Sequence, residues 1–330
     1  MTRRAILFIT LGLLILAAWW HWFPRAREAD YRFAGSWTLP TSKDGTSAIP
    51  IGIVIAGKEV FVSDAGSHRI VVFDKEGNYI RDFAGEGDGP GELGRPMLMD
   101  VDDQGNRLYV AEYLNDRIQM FSLQGDPLGT IGTPGSGPGE FDAPSGVKVD
   151  VTGRLYVADF FNHRVQVLTP DGNFIKQFGT TGKTGIKSSF FNYPTDVALL
   201  PNGNLIVADA YNDRIQVFGP DGSFLRKWGG PLAMNIHGPF NGWFKTVTAV
   251  AVGPDGNVFA ADFYNNRIQK FSPQGKFLVG IGSKDNGPAR LKYPTDVAVD
   301  DEGSVYIVDF GNRRIARFVS ISKTDRIEMN

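Results

Sequence analysis

Cysteine is absent from all 330 residues. That excludes disulfides, thiolate zinc sites, a cysteine nucleophile and covalent c-type haem. An excess of either charge is lacking too: 34 Lys and Arg stand against 36 Asp and Glu, a formal −2. With the signs mixed, no bulk attraction to nucleic acid or anionic lipid is expected. No long helical pattern follows residue 25, and neither G-x-S-x-G nor H-E-x-x-H occurs. The usual serine-hydrolase and zinc-peptidase signatures are therefore missing. What is abundant is turn chemistry, with 40 Gly and 19 Pro. Glycine-rich pieces such as Gly85 to Gly91 lead into a strand rather than a helix, so they read as loops and not phosphate cradles.

The N-terminus is a separate object. Arg3 and Arg4 precede an apolar run from Ala5 to Phe23, broken only by Thr10 and His21. At about 1.5 Å per helical residue it nearly spans a hydrocarbon core of about 30 Å. Trp19, Trp20 and Trp22 stand where an interfacial aromatic belt belongs. Ala17 and Ala18 are followed by bulky aromatics, so no clean A-x-A cleavage site appears. Residues 1–24 therefore read as an uncleaved signal anchor, a transmembrane helix, rather than a removed leader. Arg3, Arg4 and the terminal amine outweigh Arg25 and Arg27, which places the N-terminus in the cytoplasm. The expectation is a single pass through the cytoplasmic membrane, with residues 25–330 on the periplasmic or extracytoplasmic side.

Six near-copies of one pattern then follow: an acid, two variable residues, a polar residue, a variable residue, Arg, and Ile or Val. They start at Asp64, Glu112, Asp159, Asp209, Asp262 and Asp309. Their arginines, Arg69, Arg117, Arg164, Arg214, Arg267 and Arg314, lie 48, 47, 50, 53 and 47 residues apart. A period of this length with strand-like content marks a radial or stacked repeat. In the third copy Pro144–Asp150, Leu155–Asp159, Arg164–Leu168 and Phe174–Phe178 read as strands, with Asp171-Gly172 a hairpin turn. Four short antiparallel strands per repeat make one propeller blade. The apolar runs are nearly continuous, as sheets buried on both faces require. Small residues recur in the first strand, at Gly52, Gly146 and Ala249, where blades would converge. No fourth strand follows Arg314 to Phe318. Phe33 to Trp37 can supply it, because Trp37 lies 13 residues before Pro50, as Phe83 lies before Pro96 and Ile131 before Pro144. The expected fold is all-β: a six-bladed β-propeller closed by an N-terminal strand in its last blade, one domain, preceded by one transmembrane helix.

The run Gly135-Ser136-Gly137-Pro138-Gly139-Glu140-Phe141, continued through Leu168, resembles the NHL-repeat family, and the likeness recurs from residue 31 to about 320. The resemblance implies a six-bladed propeller with a top face used for binding. It does not imply one activity, since relatives include RNA-binding regulators, a peptide-amidating lyase and bacterial envelope proteins. The lyase pattern would put one zinc histidine on a bend, matched here by His68, and two more after the Pro that opens a first strand. Those positions hold Ser145, Thr195, Thr295, Met97 and Ile51, so that three-imidazole site cannot be built. RNA binding needs a basic, aromatic face. The bends carry as many acids as bases, and no nucleic-acid partner is expected.

Residues repeated in every copy should serve the blade, the acid–Arg pairs above all. Residues that vary at one equivalent position are the better candidates for function. Before each Arg stand His68, Asp116, His163, Asp213, Asn266 and Arg313, expected to ring one mouth of the central channel. Aromatic residues including Phe160, Phe161, Tyr211 and Tyr264 share those bends and suit stacking on a sugar, peptide or base. Two loops exceed the common length, one from Phe178 to Pro194 and one from Trp228 towards Val250 that carries His237 and Trp243. They are expected to wall one side of a top-face pocket. Asp196 and Asp296 replace the small residue of the first strand and could hold water or a cation. No cofactor is identifiable; calcium would suit the carboxylates and zinc a histidine. The expected function is binding of an envelope protein or a small polar ligand through the top face, with the membrane engaged by the N-terminal helix. The alternative is a calcium- or zinc-dependent hydrolase or lyase at the channel mouth.

Overall fold

The computed structural model describes residues 24–28, 30–42, 45–102, 106–282 and 287–321. The expected anchor, residues 1–24, lies outside them except for Pro24. Among the described residues no helix is long and apolar enough to cross a membrane.

Six four-stranded antiparallel sheets form the body. Their innermost strands are Pro50–Ala56, Pro96–Asp102, Pro144–Val149, Pro194–Leu199, Val247–Val252 and Pro294–Val299. Each touches the next, and the last returns to the first, so the sheets are blades of a closed ring. We number the blades one to six in that order. Blade three runs Pro144–Val149, Leu155–Asp159, Arg164–Leu168 and Phe174–Gly179, within a residue of the sequence reading. Blade six takes its outermost strand from the N-terminus. Tyr31–Trp37 pairs antiparallel with Arg314–Ser320, with Trp37 opposite Ile315.

The end of each outer strand has a repeated packing task. It lies beneath the outer turn of the next blade, where a positive-φ glycine leaves room. A Cβ on Gly77, Gly125 or Gly275 would come within 2.5, 2.5 and 2.7 Å of Trp37, Phe83 and Trp228 respectively. Trp37 thus does for blade six what Phe83 does for blade one, which is why the N-terminal strand completes the ring. The apolar core is divided in the same way. It consists of clusters at blade boundaries, such as Tyr109, Ile118 and Ile131 of blade two against Phe141, Val147 and Val157 of blade three. Both faces of a blade are therefore buried, as the continuous apolar runs required.

Each blade is tied at its top by a polar knot. In blade three Asp159 Oδ2 accepts from Arg164 Nε at 2.7 Å, and Oδ1 accepts from the Asp142 N–H at 2.9 Å. Asn162 and Gln166 donate to the same carboxylate. Arg164 Nη2 in turn donates to the Gly137 and Glu140 carbonyls, both at 2.8 Å. The acid–Arg pair recurs in all six blades. These charges satisfy the backbone of the entering loop, which would otherwise be buried unpaired.

Candidate functional site

The bends that follow each second strand and the loops between blades share one side of the ring, the top face. The six variable bend positions have one conformation in common. His68, Asp116, His163, Asp213, Asn266 and Arg313 all lie in the left-handed region, with φ of 53°, 50°, 55°, 49°, 55° and 53°. Asn, Asp and His enter that region more readily than other side-chain-bearing residues. Five of the six also make the same bond. His68 Nδ1, Asp116 Oδ1, His163 Nδ1, Asp213 Oδ1 and Asn266 Oδ1 accept the backbone N–H of Arg95, Ala143, Tyr193, Thr246 and Tyr293, at 2.7–3.2 Å. Each donor belongs to the next blade, one residue before its first strand. The sixth side chain, Arg313, donates to Ser47 Oγ at 2.9 Å. The top rim is therefore a ring of latches between blades, and one polar atom of each candidate is already committed.

That commitment bears on metal binding. Nδ1 of His163 accepts a proton-bearing N–H, so in the neutral ring the proton sits on Nε2. A metal-bound histidine has the reverse arrangement, in which the nitrogen facing the protein donates. Burial also holds the His163 pKa below its ordinary value, which favours the neutral ring. Asp213 Oδ2 faces His237 Nδ1 at 3.8 Å, but the His237 side chain is 62% exposed, so the pair is loose. Burial raises the Asp213 pKa. Among the described residues no three His, Asp or Glu side chains converge as a metal cage would require.

Asp196 and Asp296 point into the central channel, a cavity of about 440 Å³. Asp196 Oδ2 accepts from Val250 N–H at 2.8 Å, and Asp296 accepts from Ile53 and Val297 N–H, both at 2.7 Å. Each carboxylate thus joins an even-numbered blade to its successor. Burial pushes both pKa values up, Asp296 to about 7, and for Asp196 the nearby Asp296 charge adds to the rise. Space for Asp196 comes from Gly146, where a Cβ would stand 2.7 Å from Oδ1.

The exposed feature of the top face is aromatic. Phe160 lies 5.1 Å from Phe161 and 4.8 Å from Tyr193, and Tyr193 lies 4.9 Å from Tyr211. Tyr113 joins this cluster at 5.9 Å from Phe161. A second group, Phe263, Tyr264 and Tyr293, covers blades five and six. Phe161, Tyr211 and Tyr264 are 42%, 53% and 52% exposed. The Arg95 guanidinium lies over the Tyr113 ring at 5.1 Å, and Lys245 lies over Tyr264 at 5.6 Å. Rings packed on one another, mostly tilted or edge to face, on a latched rim keep part of their surface exposed without rearrangement.

The long loop after Trp228 does not wall the channel mouth with Trp243 as expected. Trp243 packs on Phe240 at 5.0 Å and lines a groove of about 860 Å³ at the outer edge of blades four and five. The reason is local: Trp243 N–H donates to the Phe240 carbonyl, and its own carbonyl accepts from Arg267 and Gln269. The knot of blade five thereby pins it to the side of the ring. His237, on the same loop, does reach the rim beside Asp213.

Comparison with known proteins agrees with the geometry. A profile described as an NHL repeat matches residues 141–168, 191–218, 244–271 and 291–318, and one described as a six-bladed β-propeller matches 38–134. This chain is an NHL-repeat propeller. An 80-residue stretch is 38% identical to RING finger protein nhl-1 of Caenorhabditis elegans, covering 21% of this chain and only 8% of that protein. Among solved structures, a protein of unknown function from Bacteroides thetaiotaomicron aligns with TM-score 0.64 at 17% identity, over 89% of this chain and 74% of its own. Virginiamycin B lyase from Staphylococcus aureus, bound to quinupristin, aligns with TM-score 0.59 at 15% identity over 90% of each chain. At such identities the likeness carries the fold alone.

Two parts of this NHL propeller's top face and channel were missed from sequence. Tyr193 lies in the longer Phe178–Pro194 loop expected to border the top face, but Tyr293, its counterpart in the second aromatic group, was not singled out, because it sits just before the first-strand Pro rather than on a bend. Asp100 also enters the channel, where it accepts from Val149 N–H and pairs with Lys148 Nζ, both at 2.7 Å. It lies two residues further along its strand than Asp196 does, so the repeat alignment hid it.

Proposed function

We propose that this NHL propeller is a binding module that docks a protein partner with its top face, through the aromatic arc from Tyr113 to Tyr211. The observation that carries the reading is the contrast between two sets of residues on one face. The polar rim residues are engaged in holding blades together, while large aromatic side chains stand exposed on the backbone they hold. Aromatic residues with few rotatable bonds are favoured anchors in protein interfaces, and arginine beside them adds to that character. The second aromatic group around Tyr264 extends the same surface. The exposed ligand residues are thus Tyr211, Tyr264 and Phe161, with His163 and Asp213 supporting them from below. The metal-dependent alternative draws on the raised carboxyl pKa values in the channel, but His163, whose Nδ1 accepts the Tyr193 N–H, has the wrong tautomer for it.

The test is a full-length chain carrying Phe161→Ala and Tyr211→Ala, assayed by crosslinking in its native envelope. The variant should keep its unfolding midpoint and lose the crosslinked partner. Undiminished crosslinking by a folded double variant would remove the top face as the docking site.

A further inference from the structure

The groove at the edge of blades four and five has its own composition. It is lined by Trp228, Trp243, Leu232 and Phe277, with Arg27, Lys227 and Lys276 at its margins and no acidic residue. The loop that forms one wall, residues 229–244, contains no Asp, Glu, Lys or Arg. It exposes four large apolar side chains close together in sequence: Leu232 at 66%, Met234 at 40%, Ile236 at 46% and Phe240 at 45%. An apolar cluster of this kind on a rigid scaffold marks a contact surface. The loop is held in an unusual shape. Leu232 and Ala233 have φ of 56° and 47°, a conformation that such residues rarely adopt, and Asn235 follows at 59°. Backbone bonds from Gly230 to Gly242 and from Gly238 to Phe244 close its base.

Its position suggests what covers it. Pro24 packs on this loop: its carbonyl accepts from Asn241 Nδ2 at 3.0 Å, and a Cβ on Gly242 would lie 3.2 Å from its ring. The chain then runs along the outer strand of blade five, where Arg27 N–H donates to the Leu278 carbonyl at 2.7 Å. Residue 24 directly follows the apolar run Ala5 to Phe23, which ends in Trp19, Trp20 and Trp22. The exposed loop therefore lies against Pro24, the residue that directly follows the apolar run in sequence.

We propose that loop 229–244 is a second membrane contact, lying in the headgroup region of an anionic bilayer beside the point where the N-terminal segment enters it. Leu232, Ile236 and Phe240 bury their side chains at the acyl boundary, and Arg27, Lys227 and Lys276 meet lipid phosphates. Apolar side chains flanked by cations are the pattern of interfacial attachment. The contact fixes the ring by its four–five edge. The inference rests on reading Ala5 to Phe23 as membrane-inserted, and it is independent of what the top face binds.

The absence of cysteine makes the test direct. Single cysteines replacing Leu232, Ile236 or Phe240 in the full-length chain are labelled with an environment-sensitive fluorophore, and the chain is reconstituted into phosphatidylglycerol-containing vesicles. Val151, 84% exposed on a bottom hairpin, is the control. The expected result is a blue shift, quenching by brominated lipid and loss of iodide quenching at the three loop positions, with none of these at 151. Arg27→Glu with Lys276→Glu should weaken the lipid quenching. Loop labels that remain open to iodide and untouched by brominated lipid overturn the proposal. Protection that depends on protein concentration without lipid quenching also overturns it, and assigns the patch to a second copy of the chain. Flotation of the vesicles tests the insertion of the N-terminal segment by itself; a chain that does not float refutes both.

Discussion

Arg214→Ala should be among the most damaging single substitutions outside the apolar core, although arginine is ordinarily a surface residue. The Arg214 and Asp209 side chains are both fully buried, with Nε 2.6 Å from Oδ2. The guanidinium also donates to the carbonyls of Ile186, Lys187, Phe190 and Ala233, fastening two loops to the blade. Removing it leaves Asp209 buried with only Asn212, Gln216 and the Asn192 N–H as donors. Breaking a buried pair from one side costs about 3–5 kcal/mol. With a urea m-value of about 3 kcal/mol per molar, the midpoint should fall by about 1 M or more. Arg313→Ala is the control, because Arg313 is exposed and makes one side-chain bond, to Ser47. Its expected effect is within about 0.5 kcal/mol. Equilibrium urea unfolding followed by tryptophan fluorescence measures both. If the two substitutions had equal effects, the division between knot residues and rim residues would be wrong.

Other consequences can be measured on the same chain. Trp37→Ala empties the space beneath Gly77 and should cost about 3 kcal/mol, read from the urea midpoint; an unchanged midpoint would mean that the closing strand contributes little. Gly146→Ala, whose methyl would meet Asp196 Oδ1 at 2.7 Å and the Thr195 carbonyl at 2.8 Å, should cost about 1–3 kcal/mol. The channel carboxyls give a pH dependence of definite sign. Asp196 and Asp296 hold protons more tightly when folded than when unfolded, Asp296 with a pKa of about 7. Their contribution to stability is full below the unfolded value of about 4 and is lost as pH rises towards about 7. Urea midpoints measured between about pH 5 and pH 8 should therefore fall less steeply with rising pH in Asp296→Asn than in the parent, and identical slopes would contradict the burial argument.

The architecture was legible because a propeller repeats its physics. One acid, one Arg and an aromatic residue or Ile at the outer-strand end recur with each blade, so four strands and a closing N-terminal segment could be placed from spacing. The knot could be anticipated for the same reason. The variable bend positions were harder to interpret. Sequence placed His68 to Arg313 at equivalent sites but could not show that a left-handed backbone and a neighbour's N–H both select for His, Asp and Asn there. Function-like variability at these positions is in part a list of residues able to act as a latch. The aromatic cluster depends on Tyr193 and Tyr293, which reach the face from a different place in the repeat, so no single-position comparison could collect them. Trp243 shows the opposite failure. A long loop suggested a wall at the mouth, but backbone bonds to the blade-five knot turn it to the edge.

The docking role of the top face is tested most directly by site-specific photocrosslinking in intact cells that express the chain. A photoreactive residue at position 211, on the aromatic arc, is compared with one at position 151, on the opposite face. The account predicts a discrete protein adduct from 211 and none from 151. Adducts of equal yield from both positions, or from 151 alone, would contradict it.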